Sequence, residues 1–211
     1  MKSIIDKSFF VAVFLVSILF YSFINSETKK TVADFNLLNV NGKMVSLKDY
    51  KDAKGFIIVF TCNHCPFAKL YPDRMNKLNI KYKPLGVPLI AISSTDTMVY
   101  EEDTFAKMIK KAKDEKFNFP YLFDGLQTTG QNFGAAKTPH AFIIWKENNE
   151  WVVKYNGAID DNGKEPEKAE NHFVEKAVDA LLKGKEVETK ETKSLGCQIH
   201  YRVALKAVNN K

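Results

Sequence analysis

Arginine is almost missing from this chain. Arg74 and Arg202 are the only two in 211 residues, so the net charge of +6 is carried by lysine. Nucleic-acid readers depend on the arginine fork for bidentate contacts to phosphate and guanine. Here the lysines are interleaved with acids, as in KKAKDEK and KGKEVETKETK. That spacing describes a solvated surface, and no nucleic-acid partner is expected. Cysteine is equally scarce: three residues, an odd number, which excludes a disulfide framework. Ten glycines and seven prolines are too few for a fibrous or low-complexity chain. With 45% hydrophobic and 27% charged residues, the chain is not of the disordered class either. Sixteen phenylalanines point to an aromatic-rich core.

Long apolar runs are absent except at the front. MKSIIDKSFFVAVFLVSILFYSFINSE carries Lys2 and Lys7, then runs apolar from Phe9 to Phe23 with breaks only at Ser17, Tyr21 and Ser22. A basic start followed by such a run is the pattern of a secretory signal, and it is short of the roughly 20 apolar residues a membrane span needs. The pattern predicts export to a periplasmic or other extracytoplasmic compartment, with an uncleaved N-terminal anchor as the alternative. Any membrane contact is expected through this segment alone. The chain therefore divides into a leader over 1–26, a folded domain over 27–184 and a charged tail over 185–211.

Within the domain, DFNLLNVNGKMVSL predicts a hairpin around Asn41-Gly42. GFIIVF and VPLIAISS are continuous apolar runs suited to strands buried on both faces. A helix is expected from about Pro66 to Tyr82, kinked at Pro72, and EEDTFAKMIKKAKDE reads as a polar amphipathic helix. PYLFD and a short helix near Leu126–Phe133 follow. HAFIIWK and WVVKYNG then form a hairpin across ENNE. The segment EPEKAENHFVEKAVDALLKGK predicts a helix with Pro166 early and Gly184 as its stop. This order implies an α/β fold, a central mixed β-sheet flanked by helices.

The chemistry concentrates in TCNHCPF. Two cysteines spaced by two, between a buried strand and a helix, are suited to redox exchange. The first thiol would lie by the helix N-terminus, where free N–H groups and the dipole favour a thiolate and lower its pKa from about 8.5 towards about 3.5–7.5. Cys62 is thus the expected nucleophile and Cys65 the resolving thiol. His64, between them, is expected to stabilise the Cys62 thiolate and make the disulfide more oxidising.

These residues resemble the thioredoxin superfamily, and more closely its peroxiredoxin-like branch (redoxin, AhpC/TSA-related). The likeness rests on FNLLNVNGKMVSLKDYKDAKGFIIVF, TCNHCPF, AAKTPHAFII, GAIDD and the terminal SLGCQIHYR, an ordered set from Val32 to Arg202. It implies a thioredoxin-like fold with an N-terminal β-hairpin extension, and a cis-proline loop at Thr138-Pro139 whose backbone pairs with a bound peptide. It also implies a redox partner protein with a thiol or disulfide, and no cofactor or metal. The sequence departs from the family at three places. Thr61 stands where thioredoxins have Trp. Asn63-His64 replaces Gly-Pro, with a histidine placed as in periplasmic disulfide-forming oxidants. Val59 holds the position of the Thr or Ser that orients peroxide in peroxiredoxins.

Thiol–disulfide exchange is therefore the first reading. Two alternatives stand beside it: an antioxidant thiol peroxidase acting on a peroxide, with Cys65 or Cys197 condensing on a Cys62 sulfenic acid, and a metal or copper site built on the thiolates with His64 or His140. Cys197 is open to three roles: second resolving thiol, intermolecular bridge or free thiol. His172 and Lys137 read as solvated, His200 is given no role, and Asp160-Asp161 read as a turn.

Overall fold

The computed structural model describes residues 29–202, so the apolar leader over 1–26 lies outside the described residues. Ten strands are assigned from Thr31 onward. They are β1 (Thr31–Val32), β2 (Asn36–Asn39), β3 (Met44–Ser46), β4 (Gly55–Phe60) and β5 (Leu89–Ser93), then β6 (Tyr121–Phe123), β7 (Lys137–Thr138), β8 (His140–Glu147), β9 (Glu150–Gly157) and β10 (Cys197–Gln198). Four α-helices accompany them among the described residues: α1 (Pro72–Tyr82), α2 (Phe105–Asp114), α3 (Thr128–Phe133) and α4 (Phe173–Leu182).

Eight strands form one sheet in the order β1-β9-β8-β4-β5-β6-β2-β3. The β4–β5 and β5–β6 pairs are parallel and the β8–β9 hairpin is antiparallel, which makes the sheet mixed, as the element order implied. GFIIVF sits at its centre and is buried at every position. Ile57 and Val59 face a layer made by α1 and α4, with Met75, Leu78, Val174 and Val178. Phe56, Ile58 and Phe60 face the opposite layer, with Leu47, Phe133 and Ile199. Burying one such side chain stabilises the fold by about 1.5–3 kcal/mol, so this six-residue run anchors both layers at once. Asn41-Gly42 turns the β2–β3 hairpin, with Gly42 at φ +83°. The β8–β9 turn uses Asn148 and Asn149, both at positive φ, the backbone that suits a two-residue hairpin.

Three expectations are corrected. The helix after the cysteines does not begin at Pro66. A single 3-10 turn, Ala68–Leu70, precedes α1, which starts at Pro72 in the first-turn position. Pro72 has no N–H to bond back into that turn, and its ring disfavours a helical residue before it, so it starts a new helix rather than kinking a long one. The last helix begins at Phe173, seven residues after Pro166, because Asp161 accepts the backbone N–H groups of Glu170 and Asn171 and closes a loop there. Of the tail expected over 185–211, the described residues 185–202 are packed on the domain. Val187 and Ile199 are buried, Glu191 bridges to Asn156, and β10 pairs with β7 as a second, two-stranded sheet.

Candidate functional site

At the carboxyl end of β4 the chain leaves the sheet, after Thr61 donates its N–H to the Ile92 carbonyl at 2.9 Å. The next four residues, Cys62-Asn63-His64-Cys65, form a loop that buried partners hold in place. Asn63 donates through Nδ2 to the Glu102 carbonyl (2.7 Å) and accepts from the Tyr121 hydroxyl (3.0 Å). Asp103, fully buried, accepts the Asn63 N–H at 2.5 Å and the His64 N–H at 3.2 Å through Oδ1, while Oδ2 takes His64 Nδ1 at 2.5 Å. The His64 ring stacks flat on Tyr100, 3.7 Å between centroids. One carboxylate therefore fixes the loop backbone and the imidazole together.

Opposite the loop, the Thr138–Pro139 peptide is cis, and Thr138 touches both cysteines. Its Oγ1 lies 3.1 Å from Cys62 Sγ and its carbonyl oxygen 3.1 Å from Cys65 Sγ. Both thiols are fully buried, and they hydrogen-bond to each other. That mutual bond, then burial, then the Asp103 charge push the Cys62 thiol up. The same bond lowers Cys65 against its own burial, helped by the Cys197 side chain and by the Ala68 and Cys197 N–H groups. The Thr138 carbonyl favours a thiol on Cys65, but the donors around that sulfur outnumber this one acceptor, and Asp103 disfavours charge on Cys62. Ionisation within the pair is therefore favoured at Cys65 over Cys62. The sequence placed Cys62 at a helix N-terminus, which the late start of α1 removes.

His64 lies beside the pair but is held by Asp103 rather than hydrogen-bonded to Cys62. Cys62, His64 and Asp103 bring one ligand atom each within 4.8 Å of one another, a donor set beside the thiols. His140 is buried at the start of β8, where Nδ1 accepts the Ala136 N–H at 3.2 Å. His172 is exposed at the start of α4, and His200 lies 5.7 Å from Tyr100 between ring centroids. Lys137 is paired in β7 with Gln198. Asp160 is more than a turn residue: it binds Arg74 at 2.6 Å in a buried ion pair.

Cys197 is in contact with the site. Its N–H donates to Cys65 Sγ at 3.3 Å, and its side chain packs on the Cys62–Cys65–Ala68 cluster. The sequence reading missed Asp103 and Tyr100. Asp103 sits in an acidic run that reads as solvated helix face; the one local signal is that Asp103-Thr104 directly precedes the first apolar residue of α2.

The sequence matches the AhpC/TSA family over residues 28–160. It is 31% identical over 121 residues to the thiol-disulfide oxidoreductase ResA of Bacillus thuringiensis subsp. konkukian (strain 97-27), covering 57% of this chain and 65% of that protein. The chain thus spans just under two thirds of the length of that relative. Among solved structures, a hypothetical protein of Sinorhizobium meliloti 1021 superposes with a TM-score of 0.75 at 32% identity, over 85% of this chain and 97% of the other. The exposed lipoprotein thioredoxin of Streptococcus pneumoniae strain TIGR4 superposes with a TM-score of 0.51 at 18% identity, over 62% and 93%, a likeness of fold. The fold is thioredoxin-like.

Proposed function

From the premise that the chain belongs to the AhpC/TSA family, we propose that it is a thiol–disulfide oxidoreductase whose redox centre is the Cys62/Cys65 pair. The observation that carries the proposal is the convergence of both sulfurs on Thr138, each at 3.1 Å. In the reaction, a thiolate of the pair attacks a partner disulfide and forms a mixed disulfide; the second thiol displaces the partner. Cys62 and Cys65 end as a disulfide, the partner leaves as a dithiol, and two electrons pass to it with two protons. The reverse reaction oxidises a partner.

A protein partner is supported by the surface next to Pro139. Phe67, Leu70 and Leu195 are exposed apolar residues that line a groove with Pro139 and Ile159, suited to apolar side chains of a bound segment. Action outside the cytoplasm is part of the proposal and is supported by the basic-then-apolar leader. Protease protection of the full chain in intact cells, with accessibility only after outer-layer permeabilisation, is the expected result.

The central experiment is a redox titration in glutathione buffers with thiol trapping and peptide mapping. A reversible Cys62–Cys65 disulfide is expected, and its midpoint separates an oxidant from a reductant. No reversible disulfide at any poise would overturn the proposal. One observation favours a second reading, metal binding: the Cys62, His64 and Asp103 donor set. One tight equivalent of zinc or copper(I), lost in His64→Ala, would support it.

A further inference from the structure

The backbone edge of Thr138 is already occupied. β10 pairs antiparallel with β7, with Cys197 opposite Thr138 and Gln198 opposite Lys137. The pairing is local strand addition, the mode by which an extended peptide docks on a free sheet edge. This strand carries a cysteine, and the register sets that cysteine against the redox pair: the Cys197 N–H reaches Cys65 Sγ at 3.3 Å.

The strand is fastened beyond its two paired residues. Gly196 passes so close to Thr138 that a Cβ there would lie 2.0 Å from the Thr138 carbonyl oxygen. Ile199 donates its N–H to the Ala136 carbonyl at 2.9 Å and buries its side chain in the core. The Gln127 amide donates to the His200 carbonyl at 2.8 Å, and the Tyr201 hydroxyl donates to the Ala135 carbonyl at 2.7 Å. With this strand docked, Cys62 and Cys65 are fully buried while Cys197 remains partly exposed. The thiol that meets solvent is not one of the pair.

We infer that β10 is a tethered substrate strand, and that Cys197 exchanges with Cys65 to carry the disulfide from the buried pair to the surface. The inference rests on the Cys62/Cys65 exchange proposed above. Starting from the Cys62–Cys65 disulfide, the Cys197 thiolate attacks Cys65 Sγ. The Cys65–Cys62 bond breaks as the Cys65–Cys197 bond forms, and Cys62 leaves as the thiolate, taking up the proton that Cys197 gave up. The Thr138 hydroxyl, 3.1 Å from Cys62 Sγ, hydrogen-bonds the leaving sulfur, and the proton it takes up leaves no charge beside Asp103. The step moves a disulfide without net oxidation. A partner thiol then attacks Cys197 and releases Cys65.

The test uses the full chain. Cys62→Ser protein is equilibrated in glutathione buffers, acid-quenched, thiol-trapped and peptide-mapped. The expected oxidised species is a Cys65–Cys197 disulfide, lost when Gly196→Ala is added to keep the strand from docking. If Cys65 is instead found joined to glutathione with Cys197 free, while the unmodified protein still forms Cys62–Cys65, the inference is overturned and the proposed exchange stands. If the unmodified protein forms no reversible disulfide, the exchange reading itself has failed. A second readout does not require oxidation. In the reduced protein, Gly196→Ala is expected to speed alkylation of Cys62 and Cys65 by roughly tenfold or more, since their reaction is limited by the open fraction. An unchanged alkylation rate, in a variant with the native circular dichroism spectrum, would show that β10 is not the cover.

Discussion

Replacing Asp103 with asparagine separates its two roles, holding the loop and charging the site. Facing atoms of Cys62 and Asp103 lie within 4.8 Å, and at an effective dielectric of about 20 two unit charges at that distance interact by about 3.5 kcal/mol, or about 2.5 pKa units. Asp103 is one cause of the raised Cys62 pKa, after the Cys65 hydrogen bond and burial. The clean background is therefore Cys65→Ala with Cys197→Ser, in which one thiol titrates and the residue-65 hydrogen bond is gone. Adding Asp103→Asn to that background should lower the Cys62 pKa by about 2 units, read from thiolate absorbance against pH. The amide oxygen still accepts the Asn63 and His64 N–H groups, so the stability cost should be about 1 kcal/mol, whereas Asp103→Ala strands those donors and should cost about 3 kcal/mol or more. Urea midpoints measure that difference. A Cys62 pKa that rises, or that moves by less than about 0.5 unit, would refute the electrostatic argument.

Thr138→Val removes the hydroxyl 3.1 Å from Cys62 Sγ; since that bond lowers the Cys62 pKa, the variant should show a higher one in the same single-thiol titration. Arg74→Met leaves the Asp160 carboxylate buried without its ion-pair partner, which should cost about 3–5 kcal/mol in urea denaturation. High pH should unfold the protein through its buried tyrosines. Burial first, with the Asp160 charge also raising it, pushes Tyr155 up from 10.0 to about 12. The folded state therefore holds that proton more tightly. The stabilisation is complete below the unfolded value and is lost as pH rises towards about 12. Stability that stays flat from pH 9 to about 12 would contradict this.

The central strand, both hairpins and the stop of α4 were legible in the sequence because each is set by local chemistry. GFIIVF is a continuous apolar run, Asn41-Gly42 a turn dipeptide, and Gly184 a residue that accepts φ +68°. The late start of α1 was not, because Pro66 and Pro72 are both acceptable first-turn residues and nothing local says which of them begins the helix. β10 escaped notice for another reason. Two residues, one exposed and one half-buried, carry no periodicity, and their strand geometry comes wholly from Lys137 and Thr138 across the gap. Asp103 was hidden by its neighbours: Glu101 and Glu102 are solvated acids, and nothing local marks the third as buried.

The docked β10 strand also bears on competition. Because it belongs to the same chain, it faces the Thr138 edge at an effective concentration on the order of millimolar. A free peptide with only generic strand-pairing affinity loses that contest at cellular concentrations. A partner that addresses the buried pair directly must bring added contacts, such as apolar anchors for the groove of Phe67, Leu70 and Pro139, to take the edge from it; one that attacks Cys197 need not. Under the proposed exchange, a short strand closing its own edge would thus set a threshold for direct access to the buried pair.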